Sequence, residues 1–122
     1  MEQFDKNKYN KDEQIDYELF STFNNRTKHK RLFCPTNPAS KYDIFSIKLE
    51  SKTEEVIELK LRDKKYLEGD DIFIEPWKYD NLMEYWKKGY LPIYINFFGD
   101  ADDVWLWILP EVDITKCQTY EK

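Results

Sequence analysis

Apolar residues recur along this chain at two spacings, one helical and one extended, and the switches between them lay out its elements. From about Asp12 to Asn24 the positions Ile15, Leu19, Phe20 and Phe23 fall three to five residues apart, which predicts a helix with one apolar face. Asp12 and Glu13 suit its first turn, where the backbone dipole favours negative charge. Residues 1–11 before it are polar. After it come a basic cluster (Arg26, Lys28, His29, Lys30 and Arg31) and then CPTNPAS (34–40), which reads as a turn because of its prolines, asparagine and hydroxyl side chains.

KYDIFSIKL (41–49) is rich in aromatic and β-branched residues and predicts a strand. ESKTE (50–54) is a polar turn, and EVIELKLR (55–62) alternates strictly, so the two strands read as a hairpin. DKKYLEGDD (63–71) is a charged loop, and IFIE (72–75) is a short strand or a lead-in to the next element. Pro76 opens a second predicted helix, since proline is tolerated in a first helical turn. Tyr79, Leu82, Met83 and Trp86 share one face of it, and Gly89 stands where a helix C-cap glycine would be. LPIYINFF (91–98) and VWLWIL (104–109), separated by GDADD, predict a closing hairpin.

The resulting order, αββαββ, predicts an α/β protein with a mixed β-sheet flanked by helices. The last strand is apolar on both faces, with Trp105 and Trp107 on one and Val104, Leu106 and Ile108 on the other. It is therefore expected to be central in the sheet or covered by a partner, and a homodimer through it is one expectation.

At 122 residues the chain fits a single domain, 1–122, with a core at about 12–109 and a polar tail at 110–122. Hydrophobic residues at 41% and aromatics at 17% supply a core. The net charge of −5 argues against non-specific coating of duplex DNA, which calls for an excess of Lys and Arg, but it leaves a local phosphate site open. Cys34 and Cys117 are far apart, no Cys-x-x-Cys pair exists and His29 is the only histidine, which argues against zinc. Two unpaired cysteines, a start (MEQFDKNKYN) without an apolar signal core and no apolar run of about 18 residues point to the cytoplasm and to no membrane span.

Candidate chemistry lies among the acid-x-Lys triplets. Glu50-Ser51-Lys52 falls in a turn and Asp63-Lys64-Lys65 in a loop, while Glu58-Leu59-Lys60 sits inside the alternating strand. There Val56, Glu58, Lys60 and Arg62 share one face, opposite Ile57, Leu59 and Leu61. If the two strands pair, Asp43 approaches Glu58 at the open end of the hairpin. Two carboxylates so placed suit a hard divalent cation such as magnesium, completed by waters and phosphate, with a neighbouring lysine to stabilise charge on phosphorus. The bland reading of the same residues is an amphipathic strand with one wet face.

Asp43 in KYDIF, followed fifteen residues later by Glu58-Leu59-Lys60, resembles the bipartite motif of the PD-(D/E)xK nucleases, among them small Holliday-junction resolvases and phage-type enzymes. The resemblance covers about residues 12–109 and implies a restriction-endonuclease-like core that hydrolyses phosphodiester bonds in DNA with Mg2+ or Mn2+. By the same resemblance Asp43 and Glu58 would bind metal together with the Leu59 carbonyl, and Lys60 would be the catalytic lysine. Asp16 would be a further acid on the leading helix, since Leu19, Phe20 and Phe23 follow it at +3, +4 and +7, and Glu13 and Glu18 fit that place less well. Lys78 resembles a basic position near the family's site, and Arg62, Lys64 and Lys28 are candidate phosphate contacts. Tyr42 stands where the family motif carries proline. Two alternatives stay open: an inactive domain of the same fold that binds nucleic acid or protein, and an unrelated α/β protein in which Asp43 lies far from Glu58.

Overall fold

The computed structural model describes residues 10–36, 40–62, 73–99 and 103–113. Within them the elements are α1 (Lys11–Arg26), β1 (Arg31–Pro35), β2 (Ile44–Lys48), β3 (Glu54–Arg62), α2 (Pro76–Lys87), β4 (Leu91–Phe98), β5 (Asp103–Ile108) and a 3-10 turn, Leu109–Glu111. The loop at 63–71 with Lys64, residue Ile72, and Cys117 in the tail lie outside the described residues.

The five strands form one sheet in the order β1-β2-β3-β4-β5, antiparallel except for the parallel pair β3–β4. A parallel pair needs a crossover, and α2 supplies it. The sheet is thus mixed and flanked by helices, with α1 packed on one face and α2 on the other. None of the described helices is long and apolar enough to cross a membrane.

Each face has its own core. On the α1 side, Phe20 packs with Ile44, Ile57, Leu59, Ile93, Ile95 and Phe97. On the α2 side, Leu82 packs with Val56, Tyr94 and Leu109. β3 and β4 carry apolar residues toward both cores because they lie in the middle of the sheet, covered on both sides.

Helix α1 begins at a capping box: Asn10 Oδ1 accepts from Glu13 N–H at 2.8 Å, and Glu13 Oε1 accepts from Asn10 N–H at 3.2 Å. It ends under Lys30, whose Nζ donates to the Asn24, Asn25 and Thr27 carbonyls at 2.8, 2.9 and 2.7 Å. Much of the basic cluster is therefore structural. Arg31 is buried against Glu55, with Nε to Oε1 at 2.7 Å, and Ser46 Oγ donates to the same carboxylate oxygen at 2.7 Å.

Three sequence expectations need correction. Residues 31–35, assigned to the basic cluster and a turn, form β1, so the order is αβββαββ; Cys34 lies in this strand opposite Phe45. The strand is short and its pairing with β2 is tertiary, which a local pattern does not report. Secondly, Ile15 and Trp86, expected on the inner helix faces, are 43% and 47% exposed. Tyr85 turns inward instead of Trp86 and meets Tyr42 edge-on at 5.0 Å. Thirdly, of the two places expected for β5 the central one is excluded: it is an edge strand, which leaves Trp105 and Leu106 partly exposed.

Candidate active site

The site forms where β2 ends. Asp43 precedes the strand, its N–H donating to the Ile57 carbonyl at 2.8 Å and its carbonyl accepting from Thr36 N–H, just beyond β1, at 3.0 Å. β2 supplies no backbone acceptor for Leu59 N–H, and the Asp43 side chain takes that place, with Oδ2 at 2.8 Å. A strand residue's N–H and C=O point to the same edge, so the Leu59 carbonyl faces the Asp43 side as well. Asp43 is thus anchored by three backbone contacts while its carboxylate stays at the sheet's margin.

Continuing the β2–β3 register by one step places Asp43 opposite Glu58 on the α2 face. The two carboxyls are close enough that each shifts the other's protonation. From above, α2 lowers Lys78 onto Glu58, with Nζ at 2.9 Å from Oε2 and 3.6 Å from the Glu75 carboxylate. The N-terminus of α2 has no side-chain cap, so its exposed dipole end adds positive potential here. From the α1 layer Asp16 faces Asp43 across an open cleft also lined by Asn10, Asp12, Thr36 and Ser40.

The electrostatics show crowded, partly dehydrated acids. Burial raises Glu58 to about 7, and the Asp43 carboxylate adds to the effect, while Lys78 opposes it. Burial likewise pushes Asp16 up to about 7, helped by the negative charges of Asp43, Asp12 and Glu13. Asp43 is also raised by burial, against the stabilising bond from Leu59 N–H. For Lys78, burial favours the neutral form, but its bond to Glu58 outweighs that and raises it. Asp43 and Glu58 therefore titrate as a pair that holds a proton near neutrality.

Replacing Asp43 with asparagine keeps an acceptor for Leu59 N–H and removes one charge. The expected result is a downward shift of both Glu58 and Asp16, read by carboxyl carbon NMR titration of the metal-free protein. Unchanged titration of both would show that the three groups do not interact.

The other sequence candidates are distributed unevenly. Lys60 lies two residues along β3 from Glu58 on the same face, exposed, and its charge reaches Glu75 at the start of α2. Arg62 is held within the fold: Nε donates to Asn96 Oδ1 at 2.9 Å, and Nη2 to Phe73 O at 2.8 Å and Tyr94 Oη at 3.1 Å. These contacts tie the segment before α2 to the sheet and so help to place Lys78. Lys28 sits between α1 and β1, next to the sheet end where Arg31 pairs with Lys48, away from Asp43. Among the described residues no group of three or more His, Cys, Asp or Glu is arranged to hold a metal by itself.

Sequence reading missed the direct Lys78–Glu58 contact, although it singled out both residues. A lysine in a first helical turn carries no local mark of what it reaches across a crossover. Tyr94 and Trp107 were also assigned only to the core. The register puts them in one row with Glu58, Glu58 opposite Tyr94 and Tyr94 opposite Trp107.

A mixed five-stranded sheet with a helix on each face and an acid-bearing hairpin at its margin defines the restriction-endonuclease-like α/β fold. Hjc, a Holliday junction resolvase from the archaeal hyperthermophile Archaeoglobus fulgidus, has a similar structure, with a TM-score of 0.59 at 11% sequence identity, covering 84% of this chain and 80% of that one. The fold expected from the PD-(D/E)xK resemblance is thus the one observed. No protein-family model matches the sequence, and no curated protein matches it.

Proposed function

We propose that the protein is a metal-dependent nuclease that hydrolyses phosphodiester bonds in DNA at the Asp43–Glu58 centre. The observation that carries this reading is the meeting of Asp43 and Glu58 at the end of a hairpin, with Asp16 on one side and Lys78 on the other. Such a cluster of dehydrated acids is costly for a fold to hold, and acids perturbed by burial and a specific charge partner in a cleft are the pattern of a functional site.

The donor set fits Mg2+ or Mn2+. Asp43, Glu58 and the Leu59 carbonyl are hard oxygen donors, and magnesium is usually held by one or two carboxylates plus waters and substrate phosphate. When bound, the cation would polarise the phosphate and lower the pKa of an attacking water.

The chain's own groups divide the remaining work. Glu58 must give up its proton to act as a ligand, so metal affinity rises with pH through about neutrality. Asp16, facing Asp43, is placed to take a proton from water or to bind a second shell of it. Lys78, beside Glu58, would meet the negative charge that develops on the phosphate oxygens, and Lys60, on the same face of β3, would reach the same oxygens from the strand.

The test is cleavage of labelled linear, nicked and branched DNA with magnesium, manganese or chelator. Metal-dependent cutting is expected, with Lys60→Ala abolishing turnover while folding is retained. Substantial cutting by Lys60→Ala, with loss in Lys78→Ala, would transfer the catalytic cation to α2. Absence of cutting by a well-folded protein on every substrate would leave a binding module on this fold.

A further inference from the structure

The α2 face around the acidic centre carries unusually exposed aromatic rings. Among the described residues the exposed aromatics are Phe73, Trp77, Trp86 and Trp105, at 49%, 62%, 47% and 42%. Two of these four, Trp77 and Trp86, lie on α2, which borders the site, and Phe73 lies just before it. Trp77 is in the first turn of α2, next to Lys78, and Lys78 Nζ stands 5.5 Å from the centre of the Trp77 ring while bonded to Glu58. One amine thus joins an open indole to the carboxylates.

Trp105 approaches from the other side. On the same face of the sheet Lys60 lies opposite Asn96, and Asn96 opposite Trp105. Two strand spacings put Trp105 roughly 10 Å from Lys60. Trp105 is held upright by stacking on Trp107, with centroids 6.3 Å apart and planes 24° apart. Behind Trp107, Tyr94 is bonded to Phe73 O at 2.7 Å, so the platform rests on rigid strands.

We propose that Trp77 and Trp105 are two stacking surfaces flanking the acidic centre, and that the DNA they accept has unpaired bases beside the bond to be cut. A paired base hides its flat face in the duplex, whereas an unpaired one offers it to an indole. Stacking on a tryptophan is tolerant of sequence, and lysines alongside hold the backbone. Lys78 beside Trp77 and Lys60 in the row of Trp105 supply a cation at each indole for the phosphates joining such bases. The acidic net charge fits the same picture, because hold on the ligand comes from stacking plus two local cations rather than from a broad basic surface.

This inference rests on the nuclease reading and is tested apart from it. Binding is measured by fluorescence anisotropy in a Glu58→Gln background, so that no cleavage intervenes. The ligands are a single strand, a matched duplex and the same duplex with a short unpaired gap. Trp77→Ala and Trp105→Ala are each expected to weaken the single-strand and gapped complexes roughly ten- to hundredfold and the matched duplex far less. Trp77→Phe and Trp105→Phe should recover most of the loss. Melting curves and near-ultraviolet dichroism confirm that each variant is folded.

Equal losses on matched and gapped DNA would overturn the inference, as would unchanged affinity for both. Loss accompanied by a fall in mass from dimer to monomer would also overturn it, assigning Trp105 to contact with a second copy. Metal-dependent cleavage by the parent protein alongside any of these results leaves the nuclease reading standing. No binding to any of the three ligands, with no cleavage, removes both.

Discussion

Replacing Glu55 with alanine is expected to destabilise the protein by about 3–5 kcal/mol, the usual result of stranding one member of a buried ion pair. Glu55 is 1% exposed and its partner Arg31 is 6–7% exposed, so water cannot take the place of the lost carboxylate. The guanidinium would keep only the His29 carbonyl, at 2.7 Å, and its place over the Phe23 ring. Ser46, also buried, would lose its acceptor. Since small domains have only about 5–15 kcal/mol of stability in all, a large part of it would go. Urea unfolding followed by fluorescence measures the change, with the slope compared between variants. Replacing both partners with apolar residues of similar size should recover most of the loss, because then no charge is left buried. A loss below about 1 kcal/mol in Glu55→Ala would show that the pair is open to water.

Glu58→Gln should do the opposite: end catalysis and relieve the fold. If Glu58 is a metal ligand, its amide should cut cleavage about a thousandfold, the scale on which loss of one preorganised electrostatic group acts. Stability should move the other way. The folded pKa of Glu58, about 7, lies above its ordinary value of 4.5, so the native state binds the proton more tightly than the unfolded chain. Stability from this group is complete below about pH 4.5 and is lost as pH rises to about 7. Glutamine cannot ionise and escapes that loss. Relative to the parent, and with chelator present, the variant should gain roughly 2–3 kcal/mol between pH 5 and pH 8, at 1.36 kcal/mol per pKa unit. Denaturation curves at the two pH values measure it. A gain that is absent or reversed would mean that the Lys78 contact outweighs the burial of Glu58. Retained cleavage would remove Glu58 from the metal site.

Much of this arrangement was legible in the chain because it is written in local periodicities. The strict alternation of residues 55–62 put Glu58 and Lys60 on one face, and the structure keeps both there. The line from Asp16 through Leu19, Phe20 and Phe23 placed an acid on the inward stripe of α1, and Asp16 does face Asp43. What was not legible depends on partners distant in sequence. β1 is recognisable only from its ladder with β2, and Thr36 beyond it holds the Asp43 backbone. Asp43 acts as a stand-in for a missing strand acceptor, a role that no motif spells out. That Arg62 also ties Phe73 and Asn96 to the sheet was not legible, because charge alone does not reveal an internal hydrogen-bond set. The misplaced Trp86 shows the limit of counting three and four residues along a helix whose inner face drifts toward Tyr85.

The parallel joining of β3 to β4 also governs when the centre can exist. Glu58 meets Tyr94 across that pair, and Lys78 is carried on the crossover between them. A ribosome releases Asp16, Asp43 and Glu58 long before β4 can close the sheet that holds them together. Loop closure over such a separation is slow compared with hairpin or helix formation, so Asp43 and Glu58 can meet early in the β2–β3 hairpin, while Lys78 joins them late. During synthesis, then, the paired carboxylates precede their cation, which is brought over them only when the last central strand docks.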